Sequence, residues 1–267
     1  MTDADLDDTL LVAQAIAREA GLLVLASYRT EVAVSYKGAV DPVTTVDIAA
    51  EEVIRRRLAE RYPDHSVLAE EGGLSSGSAS LRWLVDPLDG TVNYTHGHPF
   101  FAVSLALEAE GAIVVAVVHA PALGLTWTGR KGAGTRRNGS PARVSRLRTL
   151  DHCLVATGFP YDRWSNPDNN LAEWGAAVLR AQGTHRCGSA ALDLCLVSDG
   201  TYDAYWEKRL SPWDMAAGVL LVEEAGGRVS ALDGTNVPPY PATVVATNGL
   251  VHDQVLSLLR APAEARA

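Results

Sequence analysis

The chain is poor in cysteine, in positive charge and in long apolar runs, and each shortage removes a class of protein. Cys153, Cys187 and Cys195 are the three cysteines, an odd number with no Cys-x-x-Cys pair. They stand among apolar neighbours, so free thiols in a reducing compartment are expected rather than a disulfide framework. Twenty-three Lys and Arg against 32 Asp and Glu give a net charge of -9. That balance argues against a nucleic-acid partner, which needs a basic face, and against an anionic membrane surface. Residues 1–8 are acidic, unlike a signal peptide. No apolar run is read as approaching membrane-spanning length, and no repeat of fixed period occurs. A cytoplasmic location is expected.

What remains is length. A chain of 267 residues suits one large domain or two fused halves. It can bury roughly three-quarters of its unfolded surface without a disulfide or a structural metal. Leu6, Leu10, Ala13, Ala17, Ala20 and Val24 recur on one face of a helix over 5–28. An alternating run at 32–36 predicts a strand, and a Gly- and Asp-containing loop at 37–44 precedes a second helix. The buried face of that helix reads Val46, Ala49, Ala50, Val53, Ile54 and Leu58. Buried strands are predicted at 66–69 and 81–85, with a mobile Gly- and Ser-rich loop at 72–80 between them. Residues 101–144 read as a β-meander in which Asn138-Gly139 marks a hairpin. Beyond 150 the rhythm becomes helices near 170–180, 190–197, 212–224 and 251–259, with strands near Leu154, Tyr202 and Val244. The expectation is an α+β half at 1–150 with an antiparallel sheet and an α/β half at 151–267. Together they form two sheets layered between helices in one continuous body.

Carboxylates stand where these elements begin and end. Asp47 opens the second helix, Glu70 and Glu71 end a strand, Asp86 and Asp89 flank a turn after the next strand, and Asp214 opens a later helix. Strand ends are where layered α/β proteins place ligand-binding groups. If these acids converge, repulsion raises their pKa values, and a divalent cation relieves it. The set offers oxygen only, which suits Mg²⁺, Mn²⁺ or Ca²⁺ rather than Zn²⁺. In Asp86-Pro87-Leu88-Asp89-Gly90-Thr91 the proline stiffens the turn, the Leu88 carbonyl offers a further ligand position, and Gly90 admits close backbone approach. If Thr91 starts a helix, the Gly90 and Thr91 N–H groups suit a phosphate. Singly, each piece has a plainer explanation. Thr44-x-x-Asp47 and Ser211-x-x-Asp214 are capping boxes, Asp89-Gly90 is a turn, and Glu70-Glu71 is solvated. A cap can also serve as a ligand.

In combination the segments resemble the inositol monophosphatase family, within the lithium-sensitive, magnesium-dependent phosphatases. The resemblance rests on Asp47, Glu70-Glu71, Asp86 to Thr91, Trp213-Asp214 and Gly226-Gly227, in that order, and covers about residues 10–259. It implies a layered αβαβα sandwich and hydrolysis of a small sugar or polyol phosphate, myo-inositol monophosphate above all. It also implies two or three Mg²⁺ ions, with Mn²⁺ as a substitute, and a homodimer. Glu70, Asp86 and the Leu88 carbonyl would hold a first ion; Asp86, Asp89 and Asp214 a second; a third would sit near Glu70. Thr91 with Asp47 would orient the attacking water. Asp89, Gly90, Thr91 and the Gly188-Ser189-Ala190 segment would line the substrate site, with Glu207 taking polyol hydroxyls. Fructose 1,6-bisphosphate and histidinol phosphate are the alternative substrates. A partner-binding protein that keeps the fold without catalysis is the alternative of another class. Cys-x5-Arg is absent, and Asp5-x-Asp7-x-Thr9 lacks the buried strand that a phosphoaspartate motif requires. Residues 124–131 lack the Gly-Lys-Ser/Thr ending of a phosphate loop, and His96-x-His98 is read as structural.

Overall fold

Thr2 begins the first helix, α1 (Asp3–Ala26), through a capping box: its side chain accepts from the Asp5 N–H, and Asp5 accepts from the Thr2 backbone. The computed structural model of the protein describes residues 1–235 and 243–264. After α1 come β1 (Val34–Gly38), β2 (Asp41–Thr44), α2 (Thr45–Arg61), β3 (His65–Ala69), β4 (Gly73–Leu74) and β5 (Ser78–Asp89). A short α3 (Thr91–Thr95) leads to β6 (Ala102–Ala109), β7 (Ala112–Ala120), β8 (Leu125–Arg130), β9 (Gly134–Arg137) and β10 (Ser140–Ala142). The rest is β11 (Leu154–Thr157), α4 (Leu171–Val178), β12 (Gly183–His185), α5 (Ala190–Ser198), β13 (Ala204–Lys208), α6 (Pro212–Glu224), β14 (Arg228–Ser230), β15 (Thr243–Thr247) and α7 (His252–Glu264).

Among the described residues these strands form an eight-stranded sheet, β10-β9-β8-β7-β6-β5-β3-β4, a five-stranded sheet, β12-β11-β13-β15-β14, and a separate β1-β2 hairpin. α1 and α2 cover one face of the large sheet. α5 and α6 lie between the sheets, and α4 and α7 cover the far face of the small one. The result is the layered αβαβα sandwich.

The large sheet is buried on both faces. Val103, Leu105 and Leu107 of β6 pack toward α1 and α2 with Ala17, Ala20, Ile54 and Leu58. Ala102 and Ala106 of the same strand pack toward α5 and α6 with Leu192, Ala217 and Leu221. Successive residues thus serve two cores, and truncating Leu105 to alanine would cost about 2–5 kcal/mol.

Several expectations are corrected. Residues 72–80 hold β4 and the start of β5 rather than a loop alone, and Ser75 ties back to Val67 (2.8 and 2.9 Å). Residues 41–44 are a strand, not loop. Cys187 is half-buried with its Sγ 3.3 Å from the Tyr202 hydroxyl, so it is not in apolar surroundings. α1 is long and apolar enough by composition to cross a membrane, contrary to the reading of the sequence. Its apolar stripe packs against the large sheet, and Glu19 on the other side meets Arg57 of α2 at 2.8 Å. Asn138 and Gly139 take the positive φ values, 48° and 81°, that a tight hairpin turn between β9 and β10 requires.

Candidate active site

The Asp86-to-Asp89 segment was expected as a turn. It is instead a bulge inside β5: Asp86 stands opposite Ser104 and Asp89 opposite Ala102, so three steps on one strand match two on the other. The consequence is geometric. In a regular strand, residues three apart point to opposite faces; the extra residue restores Asp89 to the side of Asp86. Pro87 fits because a bulge tolerates a missing N–H donor. Gly90 follows with φ 91°, and a Cβ there would press on the Phe100 carbonyl at 2.9 Å.

Four helix starts gather around this bulge. Asp47 and Asp214 are the third residues of α2 and α6, each closing a capping box with Thr44 and Ser211. Asp89 Oδ2 accepts from the Ser189 hydroxyl (2.5 Å) and the Ala191 N–H (2.8 Å) at the start of α5. Thr91 opens α3. Positive helix ends therefore face the acids. Asn93 of α3 donates to the Cys187 carbonyl at 2.8 Å and so pins the Gly188-Ser189-Ala190 segment beside the bulge.

One cavity of about 260 Å³ collects most of the expected residues: Glu70, Asp86, Leu88, Asp89, Gly90, Thr91, Gly188, Ser189, Ala190, Glu207 and Asp214 all line it. That volume lies just below the range for drug-sized ligands and suits a small metabolite. Asp47 is wholly buried behind Thr91 and does not reach the cavity. Residues not singled out in the sequence also line it, among them Lys37, Asp41, Gly158, Tyr161 and Arg186. No local motif marks them. Lys37 reaches the site from the β1-β2 hairpin, 33 positions before Glu70. A wider groove of about 670 Å³ adjoins it, sharing Lys208 and Arg209 and lined also by Asp168 and Glu173. Its charges are matched with one another: Lys208 meets Asp168 at 2.5 Å and Glu173 at 3.0 Å.

The electrostatics of the cavity are those of crowded acids. Burial lifts the Asp86 carboxyl well above the usual range, and Glu70, Asp89 and Asp214 add repulsion. Burial does the same at Asp214, with Asp89 and Glu70 adding to it. At Asp89 burial outweighs the hydrogen bonds from Ser189 and Ala191. Glu70 is raised chiefly by burial, against the pull of Lys37, whose Nζ lies 2.9 Å from Glu70 and 2.6 Å from Glu71. Hydrogen bonds within the fold use Asp86 Oδ1 (Leu88 N–H, 3.0 Å), Asp89 Oδ2 and Asp214 Oδ2 (Ser211 N–H, 2.7 Å). Among the described residues, each of these three carboxyls keeps its other oxygen for a ligand.

Crowded acids, a half-used carboxyl on each and a facing carbonyl at Leu88 fit a hard divalent cation. The side chains converge on one cavity without closing on a point: among the described residues no three His, Cys, Asp or Glu side chains form a finished cage. Glu70 is instead turned to Lys37. His96 and His98 gather no third ligand, and His98 stacks on Phe100. Asp5, Asp7 and Thr9 lie on α1, where Asp7 pairs with Arg130.

The family model for inositol monophosphatases matches residues 5–263. The chain belongs to the inositol monophosphatase family. It is accordingly a phosphatase, a hydrolase of phosphate esters. It is 38% identical over 260 residues to the inositol-1-monophosphatase of Synechocystis, covering 97% of this chain and 91% of that one. It is 43% identical over 246 residues to the protein named Nus factor SuhB of Pseudomonas aeruginosa, covering 90% of this chain and 91% of that one. Among solved structures it is similar to the inositol monophosphatase from Anabaena (Nostoc), with TM-score 0.88 and 39% identity over 98% of this chain and 99% of that one.

Proposed function

We propose that the protein is a Mg²⁺-dependent phosphomonoesterase of small polyols, with myo-inositol monophosphate as the leading substrate. One observation carries this reading: the carboxyls of Glu70, Asp86, Asp89 and Asp214 and the Leu88 carbonyl face one small cavity that also holds Thr91 and Glu207. Glu70, Asp86 and Leu88 are assigned to a first ion, and Asp86, Asp89 and Asp214 to a second. A third is placed near Glu70, and Mn²⁺ is a substitute. Such ions, when bound, supply Lewis acidity toward the phosphoryl group and toward water.

The chain's own residues do the rest. Thr91 gives its proton inward, toward Asp47 Oδ1 and the Leu88 carbonyl, both at 3.0 Å. Its oxygen is then an acceptor on the cavity side, suited to orient a water and draw a proton from it. The Gly90 and Thr91 amides are assigned to the phosphoryl oxygens. Gly188, Ser189 and Ala190 form the wall beside Asp89, and Glu207 accepts hydroxyls of the polyol.

Release of phosphate from inositol 1-phosphate by the purified protein, with and without Mg²⁺, tests the reading. Strong Mg²⁺-dependent release is expected, with inhibition by millimolar lithium; no release would move the weight to fructose 1,6-bisphosphate or histidinol phosphate. The same reading includes a cytoplasmic homodimer, and light scattering tests the dimer. The relatives named Nus factor SuhB favour a second role beside catalysis, as a partner of other macromolecules. The net charge of -9 favours a protein over a nucleic acid there. A binding role that replaces catalysis would leave the protein without Mg²⁺-dependent turnover.

A further inference from the structure

Glu207 is held in a tight mould that the site's main residues do not explain. It stands on β13, two positions after Tyr205, so both side chains project from the same face of the strand. Tyr205 is wholly buried and donates its phenolic hydroxyl to Glu207 Oε2. Among the described residues it is the one hydrogen-bond donor to that carboxyl. On the other side lies Gly158, immediately after β11, which runs parallel to β13 with Thr157 opposite Trp206. A Cβ at Gly158 would overlap Cδ and both oxygens of Glu207.

These contacts divide the labour of one carboxyl. A carboxylate taken out of water needs hydrogen bonds to keep its place. Tyr205 satisfies Oε2, and the bare Gly158 backbone lets the group lie flat against β11. Oε1 is then free to accept hydroxyl protons from a ligand in the cavity. A phenol that is already donating presents nothing else that a phosphate ester would need, so its effect on the ligand passes through Glu207.

We propose that Tyr205 and Gly158 are positioning residues that fix Glu207 as a hydroxyl acceptor, and so set the preference of the site for polyhydroxylated over hydroxyl-free phosphate esters. The inference rests on the phosphomonoesterase reading of the cavity, and it assigns the origin of selectivity within that reading.

The test compares inositol 1-phosphate with p-nitrophenyl phosphate, which carries no hydroxyl groups, in the full-length protein with Mg²⁺. The readout is the ratio of the two kcat/KM values. Tyr205→Phe removes one oxygen from a conserved ring shape and is expected to lower the ratio about tenfold, chiefly through KM for inositol 1-phosphate. Gly158→Ala is expected to move the ratio the same way. Glu207→Gln lowers it at least as far, and Tyr205→Phe added to Glu207→Gln produces no further fall, because both act through one carboxyl. A ratio unchanged by Tyr205→Phe while Glu207→Gln lowers it would overturn the positioning role. A ratio unchanged by Glu207→Gln would overturn it as well, by removing the group through which Tyr205 acts. If the wild type hydrolyses neither ester, the phosphatase reading has failed separately. Calorimetric affinities of the same two esters for the same five proteins then decide the positioning role by the same ratio.

Discussion

The Thr91 hydroxyl lies 3.0 Å from Asp47 Oδ1, a residue 44 positions away whose other oxygen closes the first turn of α2. Because that aspartate is wholly buried and receives the Thr44 N–H at 2.9 Å, it cannot swing toward the cavity. Thr91→Ala is expected to lower kcat by about 100-fold or more, the usual scale for a lost proton-handling group. KM should change little. Thr91→Ser keeps the hydroxyl and should retain most of the rate. Steady-state kinetics of the two variants decide the matter, and an alanine variant with near-normal kcat would remove Thr91 from the chemistry.

Asp86→Asn should abolish turnover while leaving the fold intact. The amide still accepts the Leu88 N–H, now 3.0 Å from Oδ1, and the exchange removes a charge that its neighbours repel. Calorimetry should show lost Mg²⁺ binding, and circular dichroism an unchanged spectrum. A variant that retains the rate would sink the ligand assignment.

Lys37→Gln addresses the ammonium between Glu70 and Glu71. The pair is partly exposed, so its loss should change stability by only about 0–1 kcal/mol. A divalent cation at Glu70 must part that pair. The variant is therefore expected to melt slightly lower without metal and to gain more in Tm from added Mg²⁺ than the wild type. Equal gains in the two proteins would show that Lys37 does not compete.

Burial raises the Glu207 carboxyl to about 7, with Tyr205 opposing. A carboxyl whose folded value lies above its unfolded one holds its proton more tightly when folded. Its contribution to stability is therefore greatest at low pH and is lost as pH rises from about 4, the unfolded value, through the folded one. The metal-free wild type should thus show a component of Tm that declines between about pH 4 and pH 7. Glu207→Gln should flatten that decline. Identical slopes in wild type and variant would refute the assignment.

How much of this was written in the sequence depends on distance along the chain. Asp86 to Thr91 is legible because its parts are neighbours, and the capping boxes at Thr44 and Ser211 span four residues each. α1 and α2 are legible because one face of each is apolar. β6 shows no alternation, since both its faces are buried. β12 and β14 are three residues long, too short for any period to register. The bulge at Pro87-Leu88 hides because it exists only as a mismatch against β6. The Lys37 contact with Glu70 and the Gly158 contact with Glu207 each bring together segments far apart in the chain, which no local pattern encodes.

Three of the acids at the cavity, and Asp47 behind it, are also structural parts. Asp47 and Asp214 start helices, Asp86 holds the bulge, and Asp89 steadies the start of α5. A descendant that gave up hydrolysis would still gain from the hydrogen bonds they accept, so their presence alone is poor testimony that a relative is active. Glu70 is different: its hydrogen bond is to a half-exposed lysine on a hairpin, and no helix or strand depends on it. In a survey of relatives, position 70 is where abandoned catalysis would first be visible, and a chain that keeps every aspartate but has lost this glutamate should be suspected of retirement.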